Sequence, residues 1–283
     1  MIARVGIIGY PLGHSVSPAL HQAAFDHYGL DARFLVWETP PDQLIRMVEQ
    51  LRSSDTLGAS VTVPHKQAVI PLLDTITNSA RAVGAVNGIV NQKGKLTGHN
   101  VDTIGFSRSL KEYGGFDPYG KRVLLLGAGG AARAVAHTLV ELGVGSITVA
   151  NRGLRRAQEL VGELGIGSDL QAVTLDNVAG ISNKEWDLIV NSTTLGMRYG
   201  SGETLSPLPA EVIPRNALVY DLVYNPPETP LIREAKKVNA RTIGGLSMLV
   251  YQGAEIFQLW TGIEAPFEVM FQAAEKALHA QQP

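Results

Sequence analysis

Directly after a run of aliphatic side chains stands Gly127-Ala128-Gly129-Gly130-Ala131-Ala132, a stretch whose composition suits the binding of a pyrophosphate. The first glycine permits a tight strand-to-helix turn, the second lets backbone approach phosphate oxygens, and the small residue Ala132 lets the helix pack close to its strand. Helix N-terminal N–H groups then face the anion. Alone, the pattern also fits an ordinary tight turn; the apolar strand before it and the helical pattern after it favour a dinucleotide. An NAD-binding unit of this kind carries Asp or Glu at the end of its second strand to hold the ribose hydroxyls. Here that strand ends Val149-Ala150-Asn151-Arg152, and Gly153-Leu154-Arg155-Arg156 follows. Guanidinium forks suit a 2′-phosphate, so the sequence favours NADP over the alternative of a solvated basic helix start.

Proton transfer has a candidate in Lys66, within Ser60-Val61-Thr62-Val63-Pro64-His65-Lys66. If Pro64 opens a helix, Lys66 falls in its first turn, where a cation opposes the helix dipole and gives up a proton more readily. A solvated surface lysine is the ordinary alternative. Ser15 and Ser17 follow the first predicted strand, at the kind of strand end where α/β sheets bind ligands; Ser17 also reads as a helix N-cap before Pro18. Asn87 in GAVN, with Asn100 and Asp102 in GHNVD, could orient a polyhydroxylated ligand, although each alone is an ordinary turn former. His14, His65 and His99 lack the i, i+4 spacing of a zinc motif and the chain has no cysteine, so no metal is expected. Neither GxxxxGK[ST] nor GxSxG occurs, which removes the commonest phosphotransferase and hydrolase readings.

The elements that must position these residues alternate between short apolar runs and amphipathic stretches, the pattern of an α/β protein with a mostly parallel sheet. In the first block the pattern predicts strands at 3–8, 33–37 and 59–63, and helices at 18–28, around Leu44, Ile45, Val48 and Leu51, and directly after Pro64. The turn-rich segment Gly114 to Gly120 suggests a nearby domain junction. Beyond it, strands are predicted at 122–126, 146–150, 187–191 and 217–221, and helices at 131–142, 154–164 and 231–238. Two further helices, 247–260 and 266–279, have no strand between them and must bury their apolar faces on the first block.

Composition bounds the partners. The 283 residues are 45% hydrophobic and 18% charged, with a formal net charge of −2, so a sizeable core is available and no broad basic field exists for nucleic acid. A small soluble ligand fits better. The first residues enter a loop too early for a signal peptide and no apolar run approaches membrane-spanning length, so no membrane association and a cytoplasmic location are expected.

Taken together, the motifs resemble the shikimate dehydrogenase family over nearly the full chain. SVSP at 15–18, VTVPHK at 61–66, GAVN at 84–87 and GHNVD at 98–102 resemble its substrate-domain motifs, and GAGGAA with Asn151, Arg152 and Arg156 its NADP half. NSTTLGM at 191–197, DLVYNP at 221–226 and GLSMLVYQ at 245–252 resemble its later motifs. The resemblance implies NADPH-dependent reduction of 3-dehydroshikimate to shikimate in chorismate and aromatic amino acid biosynthesis, by a monomer or homodimer. It implies a two-domain α/β fold: a substrate domain of residues 1–103 completed by 245–283, and a Rossmann-like NADP domain with a parallel sheet over 104–244. Lys66 would be catalytic with Asp102 as its partner, and both would touch substrate together with Ser15, Ser17, Thr62, Asn87, Tyr224 and Gln252. Gly127, Ala128, Gly129, Gly130, Ala131, Asn151, Arg152, Arg156, Leu222 and Gly245 would hold the cofactor. Three departures stand out: Ser60 where the family usually has Asn, NVDT at 100–103 for NTDG, and Gly153 for the usual Thr. The rivals are an enzyme of dual quinate and shikimate specificity and a catalytically silent, dinucleotide-binding paralogue.

Overall fold

The computed structural model describes residues 2–13, 15–165, 169–181 and 185–281, so His14 lies outside the described residues. The chain divides into two compact units, Met1–Phe106 with Leu249–Pro283, and Ser107–Met248. The glycine-rich segment 114–120 lies inside the second of these.

In the first unit the apolar runs become strands β1 (Ala3–Gly9), β2 (Ala32–Glu38) and β3 (Thr56–Val61), with helices α1 (Ser17–His27) and α2 (Leu44–Gln50) between them. The chain continues through β4 (Thr75–Ile76), α3 (Asn78–Val83), β5 (Gly88–Gln92), β6 (Lys95–His99) and α4 (Asp102–Arg108). The strand order is β2-β1-β3-β5-β6-β4. Strands β1, β2 and β3 are parallel, but β5 runs antiparallel to both β3 and β6, so the sheet is mixed rather than mostly parallel. A hairpin closed by Lys93 and Gly94 turns β5 back into β6, both residues being at positive φ (54° and 87°), the backbone that matches strand twist in a two-residue turn.

Two local expectations are corrected. No helix starts at Pro64: Ile70 N donates to Gln67 O at 3.2 Å, and the carbonyl of Lys66, which a helix would have bonded to Ile70 N, instead accepts from Val86 N at 2.7 Å. A single turn closes from Val69 N to His65 O at 3.0 Å but is not continued, and the first helix is the short one at Ile70–Leu72, so Lys66 sits in an isolated turn with no macrodipole to oppose; β3 also ends at Val61, before Val63. Nor is Ser17 an N-cap. Leu20 N bonds Val16 O at 3.2 Å, which makes Val16 the cap residue, and Ser17 N donates to Ser15 Oγ at 3.3 Å. The hydroxyl that supports the start of α1 is therefore that of Ser15.

The second unit builds β7 (Arg122–Leu126), α5 (Gly130–Glu141), β8 (Ser146–Asn151), α6 (Leu154–Glu163), β9 (Asp169–Thr174), β10 (Leu188–Asn191), β11 (Leu218–Asp221), α7 (Pro230–Lys237) and β12 (Arg241–Gly244). The order β12-β11-β10-β7-β8-β9 is parallel throughout, the doubly wound order of Rossmann-like sheets. Such sheets bind ligands outside the carboxyl ends of the strands where the order reverses, here beside β7. A hydroxyl chain is buried in this unit: Tyr220 donates to Ser109 at 2.5 Å, and the Ser109 and Ser247 oxygens are 2.6 Å apart.

Helix α8 (Leu246–Thr261) begins in the second unit and runs into the first, where α9 (Phe267–Ala280) follows. Within the first unit these helices cover the first block, as their unpartnered apolar faces require. Trp260 Nε1 donates to Ile89 O at 2.9 Å, and Phe257 packs on Phe25 with ring centroids 5.4 Å apart. Between them the ring of His21, wholly buried, stacks on Phe34 at 4.5 Å, and neither of its nitrogens has a hydrogen-bond partner.

Candidate functional site

One edge of the first sheet gathers most of the residues expected to touch substrate. Strands β1 and β3 are parallel neighbours, so the loop bearing Ser15 and the segment bearing Thr62 leave the same edge, and Tyr10 N bonds Val63 O at 3.0 Å. The antiparallel β5 starts at that edge and β6 ends there, which brings in Asn87 and the 100–102 segment. Asn87 is fixed on three sides: its N–H donates to His99 O at 3.0 Å, its carbonyl accepts from Val61 N at 2.8 Å, and its Oδ1 accepts from Val101 N at 2.7 Å. Its Nδ2 has no protein partner among the described residues.

Lys66 and Asp102 meet across this edge. Nζ lies 2.5 Å from Oδ2, with the side chains 17% and 8% exposed, so both charges are largely withdrawn from water. Removing one partner from a buried pair leaves an uncompensated charge, at a cost of about 3–5 kcal/mol. The segment between Thr62 and Lys66 is pinned by His65, whose buried ring bonds Thr39 O at 2.7 Å through Nε2. Asn100 Nδ2 donates to Ala85 O at 3.0 Å, while its buried Oδ1 has no hydrogen-bond partner among the described residues. Of the atypical positions, Ser60 is buried in β3, Thr103 donates back to Asn100 O at 3.3 Å, and Gly153 is the N-cap residue of α6. Gln252 lies on α8 with Nε2 bonded to Leu249 O at 2.8 Å, and Tyr224 belongs to the other unit, on the loop after β11.

In the second unit the glycine turn links β7 to α5. Gly127 has φ of 105°, and a Cβ there would stand 2.6 Å from Ser192 Oγ, so glycine is required. Gly129 precedes α5, whose first turn receives no side-chain cap, and a Cβ on Gly129 would meet no atom within 4 Å. Uncapped N–H groups at a helix start, reached over open backbone, fit a dinucleotide pyrophosphate. At the end of β8, Asn151 Nδ2 donates to Gly153 O at 2.9 Å. Of the three arginines, Arg155 is paired with Glu159 at 2.8 Å, whereas Arg152 and Arg156 are exposed and make no ion pair among the described residues. Two guanidinium groups without a counter-charge, and no acid at the strand end, fit the 2′-phosphate of NADP. Gly245 has a packing reason of its own, because a Cβ there would lie 2.1 Å from the Leu222 carbonyl oxygen.

Asp221 escaped the reading of the sequence except as part of a motif. It is fully buried at the end of β11, and loss of solvent pushes its carboxyl up to about 6 against the lowering effect of hydrogen bonds from Thr229, Val223 N and Asn191. An acid closing an otherwise apolar strand was the available signal.

The chain is similar to known proteins over nearly its full length. Residues 7–89 match the model of the shikimate dehydrogenase substrate binding domain, 111–246 that of shikimate / quinate 5-dehydrogenase, and 245–275 that of the shikimate 5′-dehydrogenase C-terminal domain. The shikimate dehydrogenase (NADP(+)) of Moorella thermoacetica is 46% identical over 279 residues, covering 98% of this chain and 94% of the relative. The crystal structure of Thermus thermophilus shikimate 5-dehydrogenase in complex with NADP(H) and shikimate matches with a TM-score of 0.86 at 37% identity, covering 97% of this chain and 99% of that one. Quinate dehydrogenase from Corynebacterium glutamicum in complex with NAD matches with a TM-score of 0.87 at 30% identity, over 97% and 99% of the two chains. With three family models spread along it and relatives aligned over nearly its full length, the chain belongs to the shikimate dehydrogenase family.

Proposed function

We infer that this protein is an NADP-dependent shikimate dehydrogenase, an oxidoreductase that reversibly reduces the ring ketone of 3-dehydroshikimate to the alcohol of shikimate in chorismate and aromatic amino acid biosynthesis. The observation that carries the reading is the Lys66–Asp102 pair, 2.5 Å apart on a ligand-binding sheet edge, in a chain of this family. Reduction places negative charge on the substrate oxygen. The Lys66 ammonium stabilises that charge and gives its proton to the alkoxide, and Asp102 orients the ammonium and accepts a substrate hydroxyl. Ser15 and Ser17 hold the carboxylate; Thr62, Asn87 through its free Nδ2, Tyr224 and Gln252 hold the hydroxyls.

When bound, NADPH supplies the hydride that the ketone carbon receives. The turn from Gly127 to Ala131 holds its pyrophosphate, Asn151, Arg152 and Arg156 hold the 2′-phosphoribose, and Leu222 and Gly245 line the nicotinamide end. The first unit is thus the substrate domain and the second the cofactor domain. The chain works in the cytoplasm as a monomer or homodimer, a state that sedimentation analysis measures.

A panel of shikimate and quinate, each assayed with NADP and NAD by nicotinamide absorbance, tests the reading. Shikimate with NADP should give the highest kcat/KM. Equal or greater efficiency with quinate would make the protein a dual-specificity enzyme, and NADP binding without turnover on either alcohol would make it a silent paralogue.

A further inference from the structure

Asn191 and Asp221 close adjacent parallel strands in register, and both side chains are wholly buried. Asp221 Oδ1 accepts from Asn191 Nδ2 at 2.8 Å and from Val223 N at 3.0 Å, and Oδ2 accepts from Thr229 Oγ1 at 2.6 Å. Thr229 Oγ1 in turn caps α7 by accepting from Ile232 N at 3.2 Å. Asn191 passes the constraint in the other direction: its Oδ1 accepts from Thr193 N at 3.0 Å and Thr193 Oγ1 at 2.7 Å, and Thr193 Oγ1 accepts from Leu195 N at 3.2 Å. The next contact is the glycine turn, since a Cβ on Gly127 would meet Ser192 Oγ at 2.6 Å and Thr193 Cγ2 at 3.2 Å. One carboxylate therefore ties together the loop after β10, the loop after β11 and the start of α7.

Stability alone gives a poor account of this acid. A fully buried carboxyl is costly even with its hydrogen bonds made. What the group does is fix two loops at the carboxyl ends of adjacent strands, beside the reversal in strand order, where this sheet class binds its ligand. We propose that Asp221 is a positioning residue for NADP, acting through Asn191 to hold the 192–195 backbone against the glycine turn. The proposal rests on the functional reading above, and it adds a residue that touches neither cofactor nor substrate.

The test is direct titration of NADP onto the full-length protein without shikimate, monitored by intrinsic fluorescence, alongside steady-state KM values for both ligands. Asp221→Ala should raise the NADP dissociation constant at least about tenfold, and Asn191→Ala should do the same. The double variant should be no weaker than the weaker single, because one residue acts through the other. Asp221→Asn should stay within about threefold of the parent: its carboxamide oxygen still accepts from Asn191 and Val223, and its amide can donate to Thr229. A merely structural role would not separate Asp221→Ala from Asp221→Asn in NADP affinity at matched thermal stability. If Asp221→Ala does not fold, Thr193→Val cuts the network at its loop end and should weaken NADP about fivefold or more. Parent-like NADP affinity in a folded Asp221→Ala or in Thr193→Val, or multiplicative losses in the double variant, would overturn the proposal. Failure of the parent itself to bind NADP would instead overturn the functional reading.

Discussion

Lys66 and Asp102 are 36 positions apart in the chain, with the β5–β6 hairpin between them, yet Nζ and Oδ2 are in hydrogen-bond contact. On the proposed mechanism the pair acts as a unit in one proton transfer. Lys66→Ala should cut turnover by roughly two to four orders of magnitude while leaving NADP affinity nearly unchanged. Asp102→Asn should also lose turnover, and the double variant should be little worse than the poorer single one. Stopped-flow reduction rates on the four proteins decide; fully multiplicative losses would mean that the proton comes from elsewhere.

Cofactor choice follows from which arginines lack a counter-charge. Arg152→Ala and Arg156→Ala should each weaken NADP far more than NAD, by about 1.5–3 kcal/mol for a lost charge-assisted contact. Arg155→Ala, whose guanidinium is already paired with Glu159, should change the NADP to NAD preference little. Equal weakening of both cofactors in the Arg152 and Arg156 variants would remove the 2′-phosphate assignment.

Acid stability should depend on two buried groups of opposite sign. Burial pushes His21 down to about 3 from an ordinary 6.5, so its contribution is present above pH 6.5 and drains away as pH falls toward 3, by on the order of a few kcal/mol in all. Asp221, raised from 3.8 to about 6 chiefly by burial, contributes fully below pH 3.8 and loses that contribution as pH rises through 6. His21→Leu should therefore lessen the loss of stability between pH 6.5 and 4.5, and Asp221→Asn should deepen it. Urea denaturation at several pH values measures both slopes; an unchanged slope in His21→Leu would refute the first.

Gly245→Ala forces a methyl group against the Leu222 carbonyl, a backbone atom that cannot step aside cheaply. It should destabilise the protein by more than about 1 kcal/mol and raise the NADP KM. Retention of the parental melting temperature would show that the 222 loop yields freely.

The sequence was most legible where one local pattern had one structural solution. The largely apolar strands β7, β10 and β11 and the periodic helices α5, α6 and α7 lie within a residue or so of their predicted bounds. It was least legible where distant partners decide. Strands β9 and β12 are sheet edges, with exposed residues such as Asp169 and Arg241 in place of a continuous apolar run. After Pro64 the local signal favoured a helix, but the demand of Val86 N for the Lys66 carbonyl overrode it. Among the chemical residues, Lys66 is singled out by a helix-start argument that the structure removes, so only the VTVPHK motif is left to point to it, whereas the partnership of Asp221 with Asn191 depends on strand register, which no spacing in the chain displays.

The interrupted first unit also sets an order of assembly. Residues 107–248 form an uninterrupted stretch, so every strand of the second sheet is synthesised before α9, and that sheet can close on local and mid-range contacts. The first unit must wait. Its core closes only when Trp260 reaches Ile89, 171 positions earlier, and Tyr28 reaches the carbonyl of Glu264, 236 positions later. A chain cut before α8 therefore holds every strand of the second sheet but leaves apolar surface of the first unit uncovered, so the last two helices are what completes the core of the first unit.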